Sequence, residues 1–362
     1  MSRADADVLV VGGGPVGLAA AIGAREAGLD VLVLERREGT LDKACGEGLL
    51  PGALAAVREL GVDPPGHPIS GISYRRPGAH ADHLFTAGEG RGVRRTRLHE
   101  ALRERAEHAG AVLLHASVHD LRQDAAGVEV ETGPARLRGR WLLGCDGLHS
   151  TVRRLAGLDA GSRARPAGRA AATRPDARAR YGLRRHYRVR PWNDLVEVHW
   201  SDRAEAYVTP VAPDVVGVAV LGPRHATAGG SFEEALAAGF PELADRLAGA
   251  EPLGAVRGAG PLRQRTTRRT AGRVRLVGDA SGYVDALTGE GVRVGLAQAR
   301  AAVRHLDDAD AYERAWRAAT RDYRLLTSGL VAWATGPARR AIVPAARALP
   351  PLYGAVVERL AR

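Results

Sequence analysis

The sequence predicts an α/β protein in which a Rossmann-type dinucleotide-binding domain is interleaved with an antiparallel β-sheet domain and followed by a C-terminal helical segment. Three observations support this fold class. The chain opens with a strand, a glycine-rich turn and a helix. Its middle part contains several segments that alternate like strands, and after residue 289 its pattern is helical. With 362 residues, 45% of them hydrophobic, the chain is long enough for two interlocked domains.

The first element is a βαβ unit. The segment ADVLVV is typical of a short buried strand, LAAAIGAREAG of a helix made of small residues, and LDVLVLE of a second strand. Gly12, Gly14 and Gly17 have the GxGxxG spacing, which permits a tight turn, close approach of a pyrophosphate, and close packing of the helix on the strand. Glu35 ends the second strand and can bind a ribose hydroxyl. Together these features predict a dinucleotide-binding site.

Three later segments bear on the kind of dinucleotide. The chain continues into KACGEGLLPG at residues 43–52, and then into RGVRRTRLHEAL, a loop that leads to a helix. Alternating strands over residues 111–147 end in Asp146 and Gly147. Further on, a buried strand ends in Gly278 and Asp279, and a loop leads from there to a helix that starts at a second glycine cluster. This early interruption of the parallel sheet is not expected of an enzyme that binds only a nicotinamide nucleotide.

The GxGxxG turn with Glu35, the Asp-Gly pair and the Gly-Asp pair, in this order, resemble the flavoprotein hydroxylase superfamily. This superfamily of p-hydroxybenzoate hydroxylase-like proteins also includes the geranylgeranyl reductases, and the resemblance covers roughly residues 5–305. It implies a Rossmann-type FAD-binding domain, with residues 43–52 beside the isoalloxazine ring and Asp279 on the ribityl hydroxyls. It also implies NADH or NADPH as the electron donor.

The resemblance and the residue chemistry imply a set of FAD-binding residues. The helix that starts near Gly291 would direct backbone N–H groups at the flavin edge that becomes negative on reduction. Arg95 matches a family position that touches the flavin, and Arg153 belongs to the same motif as Asp146. In the alternative interpretation, Asp146 and Asp279 only cap helices and Arg95 is a solvated residue. The full set is Gly12, Gly14, Pro15, Val16, Gly17, Glu35, Arg36, Cys45, Gly46, Gly48, Leu49, Arg95, Val118, Asp146, Gly147, Gly278, Asp279, Gly289, Glu290, Gly291 and Val292.

The same patterns predict the domain boundaries. We assign residues 1–75, 93–160 and 270–305 to the FAD-binding domain, 76–92 and 161–269 to a substrate-binding antiparallel sheet, and 306–362 to C-terminal helices. Interruptions of these helices are expected at Gly336-Pro337, Pro344 and Pro350-Pro351. Residues 325–360 are apolar, and we expect them to pack against the sheet rather than to cover a greasy substrate or touch a membrane surface.

The middle segment is expected to bind the substrate. YGLRRHYRV, LVEVHW, AEAYVTPV and VVGVAVLG alternate like strands of one antiparallel sheet. Its candidates for lining a substrate pocket are His186, His199, Trp200 and Tyr207, together with Trp192, although aromatic strand residues often only pack. No cysteine or carboxylate cluster completes a zinc site with the histidines, so no metal site is predicted.

The net charge of +11 raises the question of nucleic-acid binding. Only Lys43 among the 52 basic residues is a lysine, and the arginines are scattered. Their densest clusters, residues 163–190 and 263–275, lack the interleaved aromatic residues of a stacking platform. We therefore expect a small-molecule substrate and no nucleic-acid partner. With no apolar run long enough for a membrane span, a cytoplasmic monomer or homodimer with reduced cysteines is expected.

The family resemblance leaves two enzymatic functions open. Hydroxylases add oxygen to the reduced flavin to form a flavin hydroperoxide, whereas reductases pass a hydride to a carbon–carbon double bond. Many hydroxylases have a histidine where this chain has Gly282, and the superfamily often has a proline at the position of Ala286. We therefore favour a reductase acting on a polyketide-like or isoprenoid-like substrate over a monooxygenase, with Cys45 or Glu47 as a proton donor. A non-catalytic flavin-binding protein is a third hypothesis.

Overall fold

The computed structural model describes residues 4–133, 135–160, 179–227 and 230–362. Residues 163–178 of the first arginine cluster, and residues 161–178 of the proposed substrate domain, lie outside these ranges. Within the described ranges, no helix combines the length and the apolar composition that crossing a bilayer requires.

The first sheet has eight strands and forms the core of the dinucleotide-binding part. A parallel ladder joins strands at residues 6–11, 31–35 and 136–144, where the sequence predicted strands over residues 6–11, 29–35 and 140–147. Its strands are β1 Ala6–Val11, β2 Val31–Glu35, β8 Val112–His115, β9 Asp120–Gln123, β10 Val128–Glu131, β11 Arg136–Gly144, β17 Thr270–Ala271 and β18 Val274–Leu276. The order is β17-β18-β11-β1-β2-β8, with β10 paired to β11 and β9 paired to β10.

The second sheet has seven strands and stands on the other side of the site. Its strands are β5 Gly71–Arg76, β6 Ala79–Leu84, β12 Arg180–Arg188, β13 Leu195–Trp200, β14 Glu205–Ala212, β15 Val215–Pro223 and β16 Glu251–Ala259. They follow the order β16-β12-β15-β14-β13-β5-β6, and all pairs are antiparallel except β13 with β5. A small third sheet contains β3 Gly48–Leu49, β4 His67–Ile69 and β7 Gly90–Gly92.

Helices cover the first sheet and form the C-terminal segment. They are α1 Pro15–Glu26, α2 Pro51–Arg58, α3 Arg95–His108, α4 Thr151–Leu155, α5 Arg224–Thr227, α6 Phe232–Gly239, α7 Pro241–Arg246, α8 Gly291–Arg304, α9 Ala309–Thr335, α10 Ile342–Ala348 and α11 Pro350–Ala361. Short 3-10 turns occupy Gly278–Ser281 and Pro337–Ala341. The small residues of α1 let it pack closely on α3 and α8. Each fully buried leucine or isoleucine at this contact stabilises the fold by about 2 kcal/mol.

The predicted fold class is confirmed, but two local predictions are wrong. The boundary predicted between residues 75 and 76 falls inside β5, which pairs with β13, so we place it before Gly71. The partner strand begins at Leu195, and a pairing over that sequence distance leaves no local pattern. Pro344 does not interrupt a helix: it lies in the first turn of α10, where backbone N–H groups have no partner within the helix.

The apolar C-terminal residues pack against the second sheet, as expected. Ile342, Val343, Tyr353 and Val357 belong to the same buried cluster as residues of β5, β13 and β14. The Tyr353 hydroxyl donates a hydrogen bond to the carbonyl oxygen of Ile72, at 3.1 Å. This packing brings α11 to the edge of the cavity described next.

Candidate functional site

Four strands of the first sheet direct their carboxyl ends at one cavity. The GxGxxG turn follows β1, Glu35 ends β2, Asp146 follows β11, and Asp279 follows β18. In open α/β sheets, ligands bind in the crevice outside these strand ends. The cavity has a volume of about 660 Å³ and continues to the second sheet. Strand order therefore unites three motifs that are far apart in the sequence.

Most of the predicted site residues line this cavity. Those that do are Gly12, Gly14, Pro15, Val16, Glu35, Arg36, Cys45, Gly46, Glu47, Gly48, Leu49, Arg95, Val118, Asp146, Gly147, Tyr207, Gly278, Asp279, Gly289, Gly291 and Val292. The cavity lining does not include Gly17, Glu290, His186, His199 or Trp200.

These five residues have other surroundings. Gly17 packs under the turn, because a Cβ there would overlap the carbonyl oxygen of Gly12. Glu290 is buried and pairs with Arg293. His199 donates its Nε2–H to Glu197 at 2.8 Å, and with Trp200 it lines a different cavity.

The proposed roles of Trp192 and His186 also change. The Trp192 indole N–H donates to Glu197 at 2.9 Å, so its polar end is engaged outside the cavity lining. His186 is buried beneath the cavity loop, which we define as residues 42–47. Neither residue is among those that line the cavity.

The glycine turn leaves the start of α1 open. Gly12 has φ +105° and passes so close to β11 that a Cβ would lie 2.6 Å from the carbonyl oxygen of Cys145. Gly14 faces the cavity, α1 has no side-chain cap, and Pro15 occupies its first turn. The N–H groups there are therefore available to an anion. Glu35 accepts the Gly13 N–H at 2.8 Å, which fixes its carboxylate beside this turn.

Cations line the cavity around the turn. The Arg95 guanidinium lies nearest Gly14, with Nη2 at 3.8 Å from the position a Cβ would take, and its Nε has no hydrogen-bond partner among the described residues. The other cations of the lining are Arg36, Arg37, Lys43 and Arg154. A buried unpaired guanidinium N–H and an open glycine backbone fit a diphosphate.

Lys43 and His99 are functional candidates that the sequence analysis did not single out. Lys43 Nζ lies 3.4 Å from Oδ2 of Asp279 across the cavity. The one signal was that it is the only lysine in the chain. His99 is buried in α3, accepts the Leu41 N–H at 3.3 Å and contacts the Gly13 carbonyl at 3.0 Å. Burial lowers the pKa of His99, so the neutral ring links the glycine turn to the start of the cavity loop.

The cavity loop holds Cys45 and Glu47 in different environments. The Cys45 sulfur accepts the Glu47 N–H at 3.4 Å, and its thiol lines the cavity. Glu47 has φ +59°, a conformation that costs a side-chain-bearing residue about 1 kcal/mol. Its carboxylate accepts the Arg95 backbone N–H at 2.7 Å and lies 2.6 Å from His186 Nε2. Its two oxygens therefore hold the loop in place.

Asp146 caps α4. Its carboxylate accepts the Ser150 hydroxyl at 2.5 Å and the Thr151 N–H at 2.6 Å. Burial raises the pKa of Asp146, and these hydrogen bonds oppose the shift. Arg153 lies away from the cavity lining and donates to the carbonyl oxygens of Leu148 and Ala280, so it ties α4 to the turn that contains Asp279. Burial also raises the pKa of the Cys145 thiol, in keeping with its predicted packing role.

The start of α8 forms the opposite wall. Gly289 has φ +71° with open space beside it, and α8 has no side-chain cap. The backbone N–H groups of Gly291 and Val292 are thus free to bind an electronegative edge. The preceding loop is fixed where the Tyr207 hydroxyl donates to the Leu287 carbonyl at 2.8 Å.

The part of the cavity next to the second sheet is apolar. Burial raises the pKa of Tyr74 there, so its phenol stays neutral. Further lining residues of this chamber are Ile72, Val196, Val198, Tyr207, Leu221, Ala286, Leu287, Val357 and Leu360, with Thr209 as a polar member. Among the described residues, no group of three or more His, Cys, Asp or Glu is arranged to hold a metal ion.

Comparison with known proteins identifies the cofactor. Residues 5–309 match the family model described as FAD binding domain. The chain belongs to this FAD binding domain family. The predicted flavoprotein family and the predicted FAD cofactor are confirmed. The open glycine turn, the cationic lining and the free start of α8 fit that group.

Relatives within the FAD binding domain family differ in their named reactions. The chain is 28% identical over 312 residues to dialkyldecalin synthase of Streptomyces rugosporus, covering 81% of this chain and 63% of that protein. It is 37% identical over 164 residues to digeranylgeranylglycerophospholipid reductase 1 of Methanopyrus kandleri, 42% of each chain. It is 36% identical over 167 residues to a Streptomyces rimosus protein named 12-dehydrotetracycline 5-monooxygenase/anhydrotetracycline 6-monooxygenase, 42% of this chain and 33% of that one.

The chain thus spans less than two thirds of the length of these relatives. Among solved structures, a flavoprotein/dehydrogenase from Cytophaga hutchinsonii has a TM-score of 0.79 at 19% identity. That match covers 98% of this chain and 92% of the other. At this identity the likeness concerns the fold.

Proposed function

We propose that this chain is an FAD-dependent oxidoreductase, and specifically a reductase that takes electrons from NADH or NADPH. It would reduce a carbon–carbon double bond in a small hydrophobic substrate, of an isoprenoid-like or polyketide-like class. FAD would supply the redox step, because it accepts hydride from a nicotinamide and gives hydride to a substrate. The relative named as a reductase supports this proposal.

The glycine turn and its surroundings would hold FAD. The open start of α1 and the Arg95 guanidinium offer N–H donors and positive charge to the diphosphate. Glu35 would accept a ribose hydroxyl, and Asp279 would accept ribityl hydroxyls. The free N–H groups at the start of α8 would face the flavin edge that gains negative charge.

The apolar chamber is the observation that carries the substrate class. The lining residues named for it are apolar apart from two neutral tyrosines and Thr209, and charged groups are costly to bury without partners. It adjoins the Cys45 loop in one continuous cavity. A hydrophobic molecule in this chamber would therefore lie beside the ring-binding loop.

Cys45 is the better candidate for the proton donor. Reduction of a double bond adds hydride to one carbon and a proton to the other. Both Glu47 oxygens accept hydrogen bonds from Arg95 and His186, whereas the Cys45 thiol faces the cavity. We therefore assign proton transfer to Cys45 and loop positioning to Glu47.

A monooxygenase is the second candidate, and the Streptomyces rimosus relative favours it. Purified protein should be yellow, and NADH or NADPH should bleach it under nitrogen. Anaerobic turnover of an isoprenoid or polyketide probe supports the reductase. Incorporation of an atom from labelled oxygen gas into product would overturn it. A yellow protein that neither nucleotide bleaches would indicate a non-catalytic flavin protein. Cytoplasmic location and a monomeric or homodimeric state stay predictions.

A further inference from the structure

Two buried side chains of one strand attach the cavity loop to the second sheet, and the more exposed Arg257 of β16 also donates to Asp42, at 3.0 Å. Arg184 and His186 project from the same face of β12, because strand residues two apart share a face. Each side chain is only 3% exposed. The loop between them and the cavity has no regular secondary structure and carries Lys43 and Cys45 in the cavity lining.

The contacts run from the first loop residue to the last. Arg184 Nη2 donates to a carboxylate oxygen of Asp42, and it also lies 3.4 Å from the Lys43 carbonyl oxygen. Arg184 Nη1 is 2.9 Å from Nδ1 of His186, whose Nε2 is 2.6 Å from Oε2 of Glu47. One continuous set of hydrogen bonds therefore joins both ends of the loop through β12.

The hydrogen bonds from Arg184 through His186 to Glu47 all run in one donor-to-acceptor direction. A guanidinium can only donate, so Nδ1 of His186 must accept. The ring proton is then on Nε2, which donates to Glu47. A neutral His186 in this one tautomer completes the series of hydrogen bonds, which reinforce one another.

Glu47 needs such support because of its backbone. It has φ +59°, a conformation in which residues with side chains are uncommon. Its carboxylate contacts with His186 and the Arg95 N–H hold it there. Thr209 adds one hydrogen bond to the Gly46 carbonyl at 2.8 Å. The position of Cys45 between these anchors is thus fixed from β12.

We propose that Arg184 and His186 are positioning residues that clamp both ends of the cavity loop and so set where Lys43 and Cys45 stand in the cavity. Neither residue lines the cavity, and they act through Asp42 and Glu47. The effect on bound FAD rests on the proposed function, whereas the effect on the loop does not.

The test compares three variants of the full chain. Arg184→Met and His186→Phe remove the clamp but keep apolar bulk, and Arg185→Met is the matched control. Arg185 lies on the opposite face of the same strand and pairs with Glu233. The readout is the rate of Cys45 alkylation by iodoacetamide in FAD-free protein, followed by mass spectrometry. Cys145, which is buried, serves as the internal reference.

The clamp predicts a selective change. Cys45 alkylation should rise about fivefold or more in Arg184→Met and His186→Phe, and less than about twofold in Arg185→Met. Equal rates in all three variants would overturn the proposal. Arg184→Lys should give an intermediate rate, because one ammonium group replaces the two-pronged guanidinium.

Two measurements cover the remaining outcomes. If Arg184→Met fails to fold, Asp42→Asn weakens the contacts of Asp42 with both Arg184 and Arg257 from the half-buried loop side and should still raise the alkylation rate. An unchanged rate there would contradict the clamp. With FAD added, His186→Phe should alter the visible spectrum of the flavin and Arg185→Met should not. Because the alkylation assay requires neither flavin nor turnover, failure of the proposed function leaves it interpretable.

Discussion

The two ends of the cavity are built in different ways. At the glycine-turn end, residues 12–17 and Glu35, key contacts are local: Gly17 packs on the Gly12 carbonyl, and Glu35 binds the N–H of a residue only 22 positions away. At the loop end, residues 42–47, side chains meet across the chain: Glu47 and His186 are 139 positions apart, and Lys43 and Asp279 are 236 apart. The glycine-turn end requires that Gly12 and Gly17 have no Cβ, because a Cβ would overlap nearby backbone. The loop end instead is held by interactions between side chains.

The largest effect is expected from adding one methyl group at the glycine-turn end. In Gly17→Ala, the new Cβ would overlap the Gly12 carbonyl oxygen. Because this oxygen is part of the backbone, it could move only if the glycine turn itself changed conformation. We expect loss of FAD retention, a decrease in affinity of about 1000-fold or more, measured by flavin fluorescence and by absorbance after gel filtration.

Gly23→Ala is the matched control for this prediction. Gly23 lies in the same helix, and a Cβ there meets no atom within 4 Å. This variant should bind FAD normally and should be slightly more stable, because alanine favours helix over glycine by about 1 kcal/mol. Equal FAD affinity of the Gly17 and Gly23 variants would contradict the packing role of Gly17.

The contrast explains which parts were predictable from the sequence. Local geometry sets the spacing of several motifs, which were therefore predictable. These are the glycine turn, Glu35, and the Asp-Gly and Gly-Asp pairs that follow β11 and β18. The clamp of His186 on Glu47 was not predictable, since nothing in the local pattern of β12 distinguishes a histidine that binds a loop from one that lines a pocket. The parallel pairing of β5 with β13 was equally hidden.

The next largest effect is expected on the pH dependence of stability, from the charged residues around Glu197 of β13. Burial opposes ionisation of Glu197, but hydrogen bonds from His199 and Trp192 and the charge of Arg75 lower the pKa to about 2. A depressed pKa stabilises the fold above the unfolded value near 4.5, and this contribution is lost as pH falls toward 2. The contribution is at most about 3 kcal/mol.

Urea unfolding of the wild type and Glu197→Gln measures this contribution. The difference in free energy of unfolding should be full above pH 4.5 and should decline below it. FAD affinity at neutral pH should be equal in both proteins, because Glu197 does not line the FAD cavity. A difference that stays constant from pH 5 to pH 2 would rule out the lowered pKa.

The Cys45 thiol provides a chemical test of the loop end. In Cys45→Ser, the residue keeps its size and an acceptor for the Glu47 N–H but loses the more acidic thiol. We expect kcat for a double-bond substrate to fall about 100-fold, the lower range for general acid catalysis, with FAD affinity unchanged. Unchanged kcat would remove Cys45 from the reaction and leave the loop a purely geometric role.

Lys43 of the loop end reaches Asp279 after β18, and its effect should be the smallest. Its ammonium pairs with Asp279 across the cavity, with about one third of the side chain exposed. FAD would offer this ammonium its diphosphate oxygens in addition, so Lys43→Met should lower the affinity for FAD about tenfold. The difference in affinity between wild type and variant should be smaller at high salt, because salt screens the charge. Arg97→Met is the control, because Arg97 is exposed on α3 and pairs with Glu100 outside the cavity lining.

The sequence makes this prediction directly measurable. Lys43 is the only lysine, so an amine-reactive reagent has a single side-chain target besides the N-terminus. FAD should protect Lys43 from acetylation while the N-terminal amine reacts at the same rate with and without the cofactor. If FAD protects neither amine, the ammonium does not contact the cofactor. Its pairing with Asp279 would then serve only to hold the cavity loop beside the turn that follows β18.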